Sequence, residues 1–205
     1  MRIRPIIGAL FVLFFTSCQS GYRKENGQWV WVSYDESVGK RITPIDAHDA
    51  KSFRVLKSKK YAKDKNAVFY HGRLIEHADP RSFQVIHESG YSKDNNRVFL
   101  DDHIIVLADP ATFEFLEFPY TKDSDHVFCG NIPLKISPQE VNEFKVTNTD
   151  KLMSATKSTI LFSHFLEMNP DYQWLDTTGI TGIVVGDWGT GATKNKKFKG
   201  FREAN

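Results

Sequence analysis

Apolar positions in this chain come in short stretches of two to four, separated by turn-forming residues. Val68-Phe69-Tyr70 and Leu74-Ile75 flank His71-Gly72-Arg73. Val98-Phe99-Leu100 and Ile104–Leu107 flank Asp101-Asp102-His103, and Val127-Phe128-Cys129 and Ile132–Leu134 flank Gly130-Asn131. Short β-branched and aromatic runs bounded by such residues predict β-hairpins. Gly72 supplies a positive φ for one of these turns at no steric cost. Pro133 has no amide to give a ladder, so its strand is expected at a sheet edge.

The pattern then repeats in the wording of the sequence itself. Y-A-K-D-K-N-A-V-F at Tyr61–Phe69 returns as Y-S-K-D-N-N-R-V-F at Tyr91–Phe99 and as Y-T-K-D-S-D-H-V-F at Tyr120–Phe128. A-D-P-R-S-F at Ala78–Phe83 returns as A-D-P-A-T-F at Ala108–Phe113. Asp-Pro reads as a capped helical turn leading into a third strand, Phe83–Ile86 or Phe113–Leu116. A longer helix, Ser137–Glu143, takes its place in the last unit. Four units follow, at about 31–60, 61–90, 91–119 and 120–149. The first is degraded, with Trp31 in the place of Tyr61. Phe53, Phe83, Phe113 and Phe144 then occupy equivalent core positions.

Three short strands cannot keep an apolar face dry alone, so the units must stack. The expected fold is mostly β, an array of about four 30-residue hairpin or three-strand repeats over residues 29–149. An open array is favoured over a ring, whose blades take roughly 40 residues or more. Residues 150–188 read as a cap with a helix at Ser158–Met168 and a strand at Ile183–Val185. Residues 189–205 read as a disordered tail, having little apolar surface.

The first seventeen residues read as a secretory signal. Arg2 and Arg4 precede an apolar run from Ile6 to Phe15 that is too short to span a bilayer. The following F-F-T-S-C at Phe14–Cys18 resembles the lipobox of bacterial lipoproteins. That resemblance implies cleavage before Cys18, acylation of the new terminus, and a lipid anchor in the membrane. In an organism with two membranes, Gln19 points to the outer one. Residues 18–28 would be the lipidated cysteine and its tether. Of 27 basic and 25 acidic residues, Arg2 and Arg4 leave with the signal, so the mature balance is 25 to 25. Such a balance offers no long-range field for nucleic acid. Cys129 is the one cysteine remaining, so a monomer has no disulfide to form and a buried thiol is expected.

The candidate chemistry is sparse. Asp64/Asn66, Asp94/Asn96 and Asp123/Asp125 have the spacing of hard oxygen ligands that opens many calcium loops. Each pair runs straight into a strand with no loop glycine or late glutamate, so Asx-turn chemistry is the stronger reading. Tyr61, Tyr91 and Tyr120 form a ladder that could stack on a sugar or peptide if exposed, with a buried ring and an exposed hydroxyl as the plainer expectation. The seven histidines form no compact metal pattern, and no nucleophile elbow marks a hydrolase. Gly186–Lys194 has the glycine spacing of a phosphate loop but places Ala192 where lysine is required. No metal, cofactor or catalytic residue is therefore assigned.

Asp64–Tyr70 (D-K-N-A-V-F-Y), Asp94–Leu100 and Asp123–Cys129, each preceded by Tyr-x-Lys, resemble the DKNYY family of bacterial envelope proteins. The resemblance covers about residues 31–146 and implies no activity or cofactor. The expected role is a lipid-anchored, noncatalytic binding or scaffolding module of the cell envelope, contacting a protein, peptide or glycan. An enzyme with a pocket between repeats, or a self-associating structural protein, are the alternatives.

Overall fold

The computed structural model describes residues 19–47, 49–148, 158–176, 180, 182–185 and 189–204. Cys18, the stretch before it that was expected to be a signal, and His48 lie outside the described residues.

The chain begins with a three-stranded meander of β1 (Gly21–Glu25), β2 (Gln28–Asp35) and β3 (Gly39–Pro44). Asn26 and Gly27, at φ 50° and 82°, make the two-residue turn whose twist matches the flanking strands. The stretch expected to be a tether is thus largely strand. Tyr22 pairs with Trp31 just as Tyr61 pairs with Tyr70. Trp31 therefore corresponds to Tyr70, and the counterpart of Tyr61 is Tyr22. The two-residue turn displaced the expected alignment.

Four-stranded antiparallel meanders follow. The second sheet is β4 (Arg54–Val55), β5 (Tyr61–Lys63), β6 (Val68–Tyr70) and β7 (Arg73–Leu74). The third is β8 (Gln84–His87), β9 (Tyr91–Lys93), β10 (Val98–Leu100) and β11 (His103–Ile104). The fourth is β12 (Glu114–Glu117), β13 (Tyr120–Lys122), β14 (Val127–Cys129) and β15 (Ile132–Pro133), which places Pro133 on an edge strand as its missing amide requires. The strand after each Asp-Pro turn pairs forward with the next Tyr-x-Lys strand, so a structural unit starts at the turn. This shifts the phase of the repeat and raises the strands per sheet from three to four.

The helix expected at Ser137–Glu143 is α1 (Pro138–Val141), entered through Ser137, whose amide and hydroxyl both donate to Glu140. It leads into β16 (Lys145–Val146). An insert then intervenes, with β17 (Ser158–Leu161), α2 (Phe162–Met168), a 3₁₀ turn at Pro170–Tyr172 and β18 (Gly182–Val185). The expected helix at Ser158–Met168 is strand over its first four residues because they pair with β18. The chain rejoins the array as β19 (Thr190–Ala192), β20 (Lys197–Lys199) and β21 (Arg202–Ala204), completing a sheet with β16. Residues 189–204, read as a disordered tail, are a fifth unit. Where the insert leaves and returns, the Thr147 amide donates to the Thr190 carbonyl at 2.8 Å and the two hydroxyls lie 3.1 Å apart.

One aromatic triad, made four times, holds the units together. Phe53, Phe83, Phe113 and Phe144 are each 6–7% exposed. Each lies 5.7–6.3 Å from the phenylalanine of its own hairpin, Phe69, Phe99, Phe128 or Phe198. Each also lies 5.1–6.3 Å from the tyrosine of the preceding unit, Tyr22, Tyr61, Tyr91 or Tyr120. The tilted and edge-on ring angles are those that aromatic quadrupoles favour, adding about 0.5–1.5 kcal/mol per pair beyond simple burial. The buried residues accordingly divide into four clusters, each shared by consecutive units. Described in this way the core is a linear stack.

Candidate functional site

The predicted turn residues all assemble into one recurring device. Asp64 Oδ1 accepts the amides of Asn66 and Ala67 at 2.7 and 2.8 Å, and its Oδ2 accepts the amide of Asp49 at 3.0 Å. Asp94 does the same with Asn96, Arg97 and Asp79, and Asp123 with Asp125, His126 and Asp109. These three carboxylates are buried. Each closes its own hairpin approach and clasps the preceding turn of the same unit, Asp49-Ala50 for Asp64 and an Asp-Pro turn for Asp94 and Asp123. Their acceptor positions are directed at backbone amides, which is the Asx-turn arrangement and not the open shell of a calcium loop.

The Asp-Pro side of the clasp is built from short polar residues. Asp79 accepts from the Arg81 amide at 3.0 Å and the Ser82 hydroxyl at 2.6 Å, while the Phe83 amide closes a single helical turn onto the Asp79 carbonyl. The Ser82 hydroxyl, followed by the Arg81 amide, holds the Asp79 carboxyl below its ordinary pKa. For Asp109 the Ala111 amide and then the Thr112 hydroxyl do so. Ser82 Oγ also accepts the Asn95 amide at 3.2 Å, joining the two turns a second time.

The fifth unit keeps this geometry with different atoms. Thr193 takes the aspartate position, and its hydroxyl oxygen accepts the amides of Asn195 and Lys196 at 3.3 and 3.1 Å. Its proton goes to Glu140 at 3.2 Å. Sequence reading missed this unit because threonine has replaced both the turn aspartate and, at Thr190, the ladder tyrosine.

Tyr61, Tyr91 and Tyr120 do not form an exposed binding ladder. All three are wholly buried, and their hydroxyls donate to the Gly90, Pro119 and Gly200 carbonyls of the next unit at 2.7–2.9 Å. The expectation of an exposed hydroxyl fails for the same reason. Tyr22 reaches forward likewise, to the Lys60 and Phe69 carbonyls at 3.2 Å. Burial raises the pKa of Tyr22, Tyr61 and Tyr120 and carries that of Tyr91 well above the ordinary value. In the fifth unit the ladder position is held by Thr190.

Asn131, not singled out in the sequence, docks the insert. Its Oδ1 accepts the Val184 amide at 2.8 Å and its Nδ2 donates to the Ile104 carbonyl at 3.4 Å. Gly182 packs so closely on the His103 ring that a Cβ there would lie 2.8 Å from the imidazole. Cys129 is a buried thiol in the fourth sheet, as expected.

At least four clefts open on the described surface, one of them, about 440 Å³, lined by Leu56, Val85, Ile86 and His87 among others. The smallest, about 110 Å³, is lined by Glu76, Asp102, His103 and Ile180 among others. Its one acid–imidazole pair is already engaged, with Arg73 at 2.9 Å from Asp102 and His103 Nε2 at 3.7 Å. A third, about 480 Å³, lies between the insert and the fifth unit, where the Lys135 ammonium sits 4.7 Å above the Tyr172 ring and is paired with Asp171. The fourth, about 540 Å³, is framed by Arg54, Lys63, Lys65 and Arg81. Among the described residues no three His, Cys, Asp or Glu side chains converge as metal ligands would. No described helix is long and apolar enough to cross a membrane.

Neither the curated proteins nor the solved structures compared with the chain gives a match. The model of the DKNYY family matches residues 12–103 and again 91–199. The two matches overlap over residues 91–103, and the second reaches through the insert to the fifth sheet. With nearly the whole chain spanned, this protein belongs to the DKNYY family.

Proposed function

We propose that the protein is a noncatalytic binding module of the bacterial cell envelope, held to its membrane by acyl chains on Cys18. In a two-membrane organism the anchor lies in the outer membrane, following Gln19. The observation that carries the reading is how the repeat spends its polar groups. Asp64, Asp94 and Asp123 clasp turns, and Tyr61, Tyr91 and Tyr120 tie units together, so the residues that define the family build the scaffold. What the stack presents to a partner is the set of clefts between units, whose lining differs from one to the next.

Two measurements test this. Mass spectrometry of the mature amino terminus is expected to find acyl chains on the wild type and none on Cys18→Ser; equal unacylated masses would end the anchoring half. Photo-crosslinking in cells from Arg81 and from Trp174, one on a repeat cleft and one on the insert, is expected to capture a discrete envelope partner. Crosslinks exclusively to further copies of the chain would replace binding with structural self-association.

A further inference from the structure

Equivalent positions of the repeats carry different charges, and one cleft stands apart. At the register where the Asp-Pro strand faces the Tyr-x-Lys strand, the second sheet opposes Arg54 to Lys63. The third sheet opposes Gln84 to Lys93 there, and the fourth opposes Glu114 to Lys122, which form an ion pair at 2.9 Å. Like charges directly across a strand pair destabilise it, whereas the fourth-sheet arrangement stabilises it. The second sheet therefore carries an electrostatic cost that its sisters avoid.

The surroundings add to that cost. The cleft over this pair is lined by Ser52, Arg54, Lys63, Asp64, Lys65, Asn66, Pro80 and Arg81. Arg81 comes from the turn of the next unit, where the later repeats have Ala111 and Gln139. Lys65 is replaced by Asn95 and Ser124. Four cations thus meet in one cleft, while each sister position keeps a single lysine. Lys65 alone among them has a carboxylate partner, and the acids facing Arg54, Lys63 and Arg81 are engaged with turn amides. Asp64 accepts three backbone amides, Asp49 pairs with Lys65 at 3.2 Å, and Asp79 is turned to its own Arg81 and Ser82 amides and the Ser82 hydroxyl. The Lys63 ammonium donates to the Pro80 carbonyl, which pins it in the cleft with two protons still to give. No described carboxylate lies within ion-pair distance of Arg54, Lys63 or Arg81. Burial, then the nearby Arg54, holds the Lys63 pKa below its ordinary value.

The geometry points to this cleft as a binding site for a phosphate group, gripped by the Arg54 and Arg81 guanidinium forks and the fixed Lys63 ammonium. Planar guanidinium groups suit the bidentate recognition of phosphate oxygens, and a lysine supplies the point charge between them. A phosphate there relieves the opposition of Arg54 and Lys63 that the other sheets resolve within the protein. The site is a property of the second and third units, and stands whether or not Cys18 is acylated.

The test is a titration of the isotopically labelled full chain carrying Cys18→Ser with inorganic phosphate, against chloride at matched ionic strength. Saturable amide shifts are expected around Arg54, Lys63 and Arg81, with none at Lys93 or Lys122. Arg54→Glu copies the fourth sheet, so it should weaken binding about tenfold or more, the loss of a charge-assisted contact, while its urea midpoint holds or rises. Arg54→Gln copies the third sheet and should weaken binding with the fold intact. Unchanged affinity in these variants and in Arg81→Ala, or equal shifts at Lys63, Lys93 and Lys122, would overturn the assignment. Vesicles identify the source of the phosphate. Capture by phosphatidylglycerol but not phosphatidylcholine vesicles, lost in Arg54→Glu and displaced by inorganic phosphate, identifies a lipid headgroup. Binding of free phosphate without capture identifies a soluble phosphate ester.

Discussion

The turn at Asp94 and the turn at Thr193 do the same job with different means. In the third unit one carboxylate accepts three amides, two of its own hairpin and one of the Asp-Pro turn. In the fifth, a hydroxyl accepts two and passes its own proton to Glu140, a residue of α1 that also receives the Ser137 amide and hydroxyl. Two residues share what one aspartate does elsewhere. The fold specifies where acceptor oxygens must stand, and the fifth unit shows that more than one set of side chains can put them there.

The sharpest break between interior and end is expected in the aromatic triad. Phe113→Ala removes the ring shared by Tyr91 and Phe128 in mid-array and should cost about 3–5 kcal/mol by urea denaturation. A loss under about 1 kcal/mol would mean that the stack does not depend on these rings. Next in size is the clasp. Asp94→Ala strands three partly buried amides and should cost about 3 kcal/mol, whereas Thr193→Ala should cost about 1 kcal/mol because it strands two amides and removes a neutral acceptor instead of a charged one. Equal losses would erase the distinction between the two turns.

Gly191 sharpens the comparison from another side. It occupies the register of Ala62 in the second sheet, yet the Phe144 ring fills the space of its missing side chain, with Cζ 2.2 Å from where a Cβ would stand. Gly191→Ala should therefore destabilise the chain by about 1–3 kcal/mol, although alanine is the native residue at that register in the second sheet. A neutral result would show that Phe144 shifts freely.

The smallest effect at neutral pH is the tyrosine ladder's. Tyr22, Tyr61 and Tyr120 have folded pKa values raised by burial, so each is protonated in the folded chain where the unfolded chain ionises. The stability they contribute is complete below a pH of about 10, the unfolded value. It is lost as pH rises from there toward the folded value. Urea midpoints should be flat from neutrality and then fall, with tyrosinate absorbance appearing only as the chain unfolds. Tyrosinate appearing in the folded protein would contradict their burial.

Much of this was legible in the residues. Val68-Phe69-Tyr70 and its copies mark hairpins because β-branched and aromatic residues between turn signals have few other uses. Phe53, Phe83, Phe113 and Phe144 fell into equivalent core sites because their spacing was regular. A period does not say where its unit begins, however. The strand after Asp79 looked like the end of one repeat and proved to be the start of the next, since that pairing is a tertiary choice. Tyr22 was hidden in a polar stretch whose turn is only two residues long. The fifth unit was hidden by Thr190, Thr193 and an insert that splits its first strand from its second. Burial of the tyrosine rings was the plainer expectation; burial of their hydroxyls was beyond reach, because spacing alone does not tell a hydroxyl bound for solvent from one bound for the next unit's carbonyl.

The insert departs and returns at neighbouring residues, Thr147 and Thr190, bonded to each other as part of the host. The host sheet therefore has little stake in how far the chain travels in between, since each doubling of a loop costs only about 0.6 kcal/mol in closure entropy. That junction works as a socket. Extra length added within the insert should leave the stack in place so long as Phe162, Phe165 and Ile183 keep the core positions they share with the fourth and fifth units.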